Sequence, residues 1–213
     1  MNAPEKEKPP SLGELVGAAA FLVGLISAWL YATGWTYAYH YFDRFGIPLL
    51  MVDIPKENYP VYGGVVVREF PIWGLAIGVA SLLVVTCWRW LGAKVGRLTV
   101  PLSLLAVSAV FWLGHHAGVA AAHQQYALQR ESDYRAYPRV QVWPKEQAKL
   151  PDGSPIASVD LTNGCYRLLL HNQNRLFLLR PLKGAPAADL PLLILPWDQI
   201  EQIRVLPDHT SCE

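Results

Sequence analysis

From Leu15 to Thr33 the chain reads LVGAAAFLVGLISAWLYAT, without a charge. At 1.5 Å per residue a helix over that stretch is roughly 28 Å long, close to the thickness of a hydrocarbon core. Two further runs share this character, Phe70–Leu91 and Pro101–Ala122. Pro101 suits the first turn of a helix, where its missing donor would be unpaired in any case. Together the runs predict three transmembrane helices, with crossings at about residues 14–33, 68–91 and 100–122 inside a membrane segment of residues 12–136. A cleaved signal peptide would need a basic leader, a shorter apolar core and a small-x-small site. Glu5, Glu7 and Glu14 stand in the leader region, and Trp29 and Tyr31 occupy the place of the site. The first run therefore reads as a retained anchor. Residues 1–11, MNAPEKEKPPS, read as a disordered leader.

Beyond residue 137 the pattern changes to that of a soluble segment. Arg139–Trp143 and Ile156–Asp160 are strand-like, with Pro151–Gly153 as turn chemistry between them. CYRLLLH and RLFLLRP flank an Asn-rich NQN turn and predict a β-hairpin. LPLLILP and EQIRVLP add further strands, separated by WDQI. The fold class expected is thus an integral membrane α-helical protein with a small C-terminal all-β domain at 137–213. Short strands at this density suggest an SH3-like barrel or a compact sandwich.

Between the first two runs lies an interfacial segment, residues 34–60. Trp35, Tyr37, Tyr39, Tyr41 and Phe42 follow the anchor, at the depth where amphipathic rings settle near headgroups. Gly46 and Pro48 should end the helix. The following IPLLMVDIPKENYP suits a re-entrant or surface-lying loop. Tyr37, Tyr41, Phe42, Phe45, Gly46 and Ile47 form a Y-x3-YF-x2-FGI signature. With the NYPVYGG that follows, it resembles a segment of uncharacterised bacterial multi-pass membrane proteins. That resemblance implies membrane location and brings no activity. The loop residues Phe45, Gly46, Asp53, Lys56 and Glu57 are the candidate partner contacts.

Candidate chemistry is sparse. Small residues recur four apart at Gly13/Gly17, Ala20/Gly24/Ala28, Gly74/Gly78 and Gly114/Gly118/Ala122, a spacing that lets helix backbones approach. They predict packing within the bundle, or against a second copy or a protein partner. Arg68, Glu69, His115 and His116 are the polar membrane positions; His116 and His123 share a face but lie roughly 10 Å apart, too far for one ion. His40 and Asp43 could join the histidines in a proton or metal role. Cys165 and Cys212 form a possible disulfide, and Cys87 lies inside an apolar run. No GxSxG, HExxH, Walker or GxGxxG pattern occurs, so no catalytic residue, metal ligand or cofactor is expected. A net charge of +1 without a basic stripe excludes nucleic acid as an expected partner and leaves membrane lipid.

Arg89, Lys94 and Arg97 crowd the short loop between the second and third runs. The positive-inside rule then places the amino terminus in the cytoplasm and the C-terminal domain in the periplasm of a bacterial inner membrane. The leading functional expectation is a non-enzymatic scaffold, sensor or accessory subunit presenting a β-domain at the membrane surface. The alternative is a membrane-permeabilising or ion-conducting effector, or its immunity partner. A membrane enzyme using His115 or His116 is the third.

Overall fold

The computed structural model describes residues 11–72, 74, 78–79, 99–146, 148, 160–181 and 191–207. Most of the expected second crossing, the Pro151–Gly153 turn, nearly all of the Ile156–Asp160 strand, Cys87 and Cys212 lie outside them. The chain divides into two compact units. One comprises Met1–Tyr37 and Glu57–Ala121, the other Ala38–Lys56 and Ala122–Glu213.

Four α-helices have described bounds: α1 (Leu12–Asp43), α2 (Leu49–Val52), α3 (Tyr59–Glu69) and α4 (Thr99–Glu131); Pro71, Ile72, Gly74, Gly78 and Val79 are helical as well. No Gly-Pro breaker intervenes before Gly46, so α1 carries on past the expected end of the first crossing and through the aromatic run. Within α1 and α4, Ala19–Asp43 and Leu104–Glu131 are each long and apolar enough to cross a membrane. Only 22% and 28% of their apolar windows are buried, far less than a helix in a soluble core would hide. Phe21, Val23, Ile26, Leu104, Leu105 and Trp112 are all exposed.

In the first unit glycine sets the helix contacts. A side chain at Gly34 of α1 would strike the Tyr59 carbonyl of α3 and stand 2.6 Å from the Gly63 nitrogen. Gly63 in turn abuts the backbone of Leu30. On α4, Gly114 lies against Trp29 and Thr33, and a Cβ on Gly118 would be 2.9 Å from the Thr33 carbonyl oxygen. Contacts that ascend together, Trp29 with Gly114 and Thr33 with Gly118, mean that α1 and α4 run parallel. The expected packing role of Gly114 and Gly118 is met. Gly13, Gly17, Gly24 and Gly78 have no atom within 4 Å of their Cβ positions, so among the described residues they pack against nothing. The spacing marked them because it cannot tell a helix face that meets a neighbour from one that does not.

The second unit holds a five-stranded antiparallel sheet: β1 (Arg139–Pro144), β2 (Tyr166–His171), β3 (Arg175–Leu179), β4 (Leu192–Pro196) and β5 (Ile200–Leu206), in the order β4-β3-β2-β1-β5. The hairpin expected around NQN is β2–β3, in the register Leu168↔Leu178 and His171↔Leu176. A flat sheet would set β4 and β5 about 19 Å apart, four strand spacings. Only the 3₁₀ turn Trp197–Gln199 joins them, and four Cα steps reach at most about 14 Å. The sheet therefore curls. Its rim is tied by Trp197 N–H donating to the Asn174 carbonyl (2.9 Å) and Lys145 N–H to the Gln199 carbonyl (2.9 Å). Val140, Val142, Tyr166, Leu176, Leu178 and Leu195 fill one face. Phe177 and Leu179 alternate with these on β3 and are equally buried, so both faces of that strand are covered.

Candidate functional site

The second unit also contains the last turns of α1 and α4, together with the loop between α1 and α3. Helix α1 stops at the FGI turn. The Phe45 amide bonds back to the Phe42 carbonyl, Gly46 to Asp43 and Ile47 to Phe42. Gly46 takes φ +70°, the left-handed conformation that closes a helix end and that glycine adopts without a Cβ penalty. The turn drives Phe45 edge-on to Tyr126 of α4 (5.1 Å between centroids) and against Tyr134, and leaves Ile47 1% exposed. The Tyr41 and Tyr137 hydroxyls bond to each other. Tyr137 also accepts at its carbonyl from buried Arg167 of β2 (2.7 Å). Burial, reinforced by Tyr126, raises the pKa of the Tyr134 hydroxyl, so Tyr134 stays protonated.

One side chain knits the remaining pieces together. Asn172, at the hairpin turn, accepts at Oδ1 from the amides of Asn174 (3.0 Å) and Arg175 (2.7 Å). Its Nδ2 donates to the carbonyls of Met51 (3.2 Å) and Val52 (3.3 Å) at the end of α2. Its own carbonyl accepts from Trp197 Nε1 (2.7 Å). The loop is thus clamped to the sheet, with Asp53 at φ 50° beyond the clamp and Leu50 96% exposed on the outer side of α2.

The expected partner-contact residues separate accordingly. Phe45 is a core ring and Gly46 a helix terminator, while Asp53, Lys56 and Glu57 are exposed. Arg68 and Glu69 bond to each other at 3.2 Å, with side chains 75% and 27% exposed. His115 lies 3.4 Å from Thr36 Oγ1, and His116 packs edge-on to Trp112 (4.3 Å between centroids). Neither joins a ligand set: among the described residues no three His, Cys, Asp or Glu side chains could hold one metal ion. Cys165 is disulfide-bonded. The Cys212 end of the expected pair lies outside the described residues.

A different histidine group does assemble. Arg44 Nη2 reaches the His123 ring at 2.9 and 3.1 Å, and the His40 ring stands edge-on to His123 at 6.4 Å. His40 and Arg44 are four residues apart, a spacing visible in the sequence; their meeting with His123, 79 residues from Arg44, is not. Asn172 escaped the sequence reading for the same reason. No protein-family model, curated protein or solved structure matches the chain.

Proposed function

We propose that the chain is a membrane-spanning mount that presents a small SH3-like β-barrel at the membrane surface, as a non-enzymatic scaffold, sensor or accessory subunit. One observation carries this reading: the ends of both long apolar helices belong to the same compact unit as the sheet. Tyr41, Phe45 and Tyr126 are buried in it.

Several further features support the parts of this reading. The exposed apolar surfaces of α1 and α4 favour lipid as their surroundings. Their parallel packing favours three crossings, because the chain leaving the top of α1 must return before α4 can rise beside it. The strand order and the 3₁₀ turn between β4 and β5 favour the barrel over a sandwich. Cys165 in a disulfide, with the basic loop at Arg89, Lys94 and Arg97, favours a periplasmic sheet and a cytoplasmic amino terminus in a bacterial inner membrane. The Y-x3-YF-x2-FGI signature favours kinship with uncharacterised bacterial multi-pass proteins. The face bearing Gly13, Gly17 and Gly24 offers a second copy or a partner helix a close approach.

Two measurements test the proposal. A C-terminal alkaline phosphatase fusion should be active and a green fluorescent fusion dark. The reverse result removes the periplasmic assignment. Purification in mild detergent should recover a stoichiometric protein partner or a homo-oligomer. A monomer recovered alone, with no phenotype on replacing exposed β5 residues, refutes the scaffold.

A further inference from the structure

We infer that Arg44, His123 and His40 form a binding site for a phosphate group, with an anionic phospholipid as its source. The inference rests on the membrane reading for the source but not for the site. Arg44 is the first residue beyond α1, and Asp43, the last residue of that helix, also ends its apolar span. A helix that crosses a bilayer brings such a position to the level of the lipid phosphates.

The chemistry follows from donors. A guanidinium only donates, so His123 accepts from Arg44 with one ring nitrogen and keeps N–H on the other. That bond uses Nη2 and fixes the plane of the guanidinium. Nη1 and Nε make no hydrogen bond among the described residues, and Asp43, adjacent in sequence, does not pair with it. Nη2 carries a second N–H, which with Nη1 or Nε forms a two-pronged edge that matches two phosphate oxygens, and the His123 ring stands beside it. Exposed Tyr39, edge-on to His40 at 5.2 Å, flanks the site with a ring suited to headgroup depth. Arg68 is the natural contrast: it is an exposed arginine already bonded to a carboxylate.

The full chain in detergent is titrated with short-chain phosphatidylglycerol, with phosphatidylcholine and with inorganic phosphate, and bound ligand is read by native mass spectrometry. Phosphatidylglycerol should bind about tenfold more tightly than phosphatidylcholine, whose phosphate is the same but is neutralised by a choline cation that the Arg44 guanidinium repels. Arg44→Ala should abolish that preference, Arg44→Lys should keep part of it, and Arg68→Ala should leave it intact. His123→Gln retains an acceptor for Arg44 and serves as the second probe if Arg44→Ala does not fold; it should weaken binding severalfold. Inorganic phosphate that binds and displaces the lipid with the same dependence on Arg44 assigns the site to free phosphate instead. Equal binding by wild type and Arg44→Ala, or equal loss in Arg68→Ala, overturns the site. Extraction of the chain from membranes by alkaline carbonate would sink the membrane reading separately, and the inorganic phosphate arm would still test the site.

Discussion

Replacing Asn172 tests whether the sheet and the loop after α1 form one body. Asn172→Ala removes both acceptor bonds to the hairpin amides and both donor bonds to the Met51 and Val52 carbonyls. The acceptor bonds are short and close the turn, worth about 1 kcal/mol each; the donor bonds are long, partly exposed and share one nitrogen, so together they contribute about 1 kcal/mol. The sum is about 3 kcal/mol, a fall of about 12–20 °C in the melting of a unit this size. Asn172→Asp separates the two halves. It keeps the oxygen that closes the turn, but sets a carboxylate oxygen against two carbonyl oxygens where an amide N–H had been. The expected loss is about 1–2 kcal/mol, smaller than for alanine, yet with the loop released. Thermal melting followed by the near-ultraviolet signal of Trp143 and Trp197 reads the stability. Limited proteolysis with cleavage mapped to residues 48–58 reads the loop. The aspartate variant should be cut there faster than wild type. Wild-type melting and cleavage in Asn172→Asp would refute the clamp, and a loss equal to that of alanine would show that the oxygen closing the turn contributes little and that the stability comes from the loop-facing side of the amide.

Other positions give independent checks. Gly34→Ala drives a Cβ into the Tyr59 carbonyl as well as to 2.6 Å from the Gly63 nitrogen. The α1–α3 contact must therefore open by more than the roughly 0.8 Å that the nitrogen alone requires, at a net cost of about 1–3 kcal/mol after alanine's better helix propensity. Gly24→Ala meets open space and should be neutral or slightly stabilising by the same detergent melt; equal damage in both would discredit the packing. Gly46→Ala has room for its Cβ but not for its φ of +70°, so it should cost about 1–2 kcal/mol through the backbone alone. Cys165 should resist alkylation in the unfolded chain until a reductant is added, as read by mass shift; labelling without reductant would deny the disulfide.

What the sequence made legible was whatever is periodic or local. The apolar runs located α1 and α4, the NQN turn located the β2–β3 hairpin, and the Gly46–Pro48 signal located the end of a helix within three residues. Spacing did not reveal the contacts themselves. Gly63 has Tyr59 and Val67 four residues either side, so no small-residue rule marks it; its role comes from Leu30 on another helix. Asn172 looks like ordinary turn chemistry, and its donor bonds reach residues 120 and 121 positions away. Histidine spacing along one helix discouraged a site at His123. It could not register an arginine brought alongside by α1.

The aromatic run after the first crossing has two populations on one helix. Tyr31, Trp35 and Tyr39 are 38%, 45% and 43% exposed, as rings at a bilayer interface would be. Tyr37, Tyr41, Phe42 and Phe45 are all below 9%. Every ring of the Y-x3-YF-x2-FGI signature falls in the second population. Tyr37 stacks on Tyr62 in one unit; Tyr41 and Phe45 meet Tyr137, Tyr126 and Tyr134 in the other. The headgroup zone explains rings that face outward, and it sets no demand on their spacing. The four-residue interval from Tyr37 to Tyr41, and the glycine that turns the chain after Phe45, answer to packing and to a helix end. The signature therefore encodes how α1 is ended and how the rings of its last turns pack. His40 and Arg44 fall at its unspecified positions, so the proposed phosphate site is not part of what it encodes.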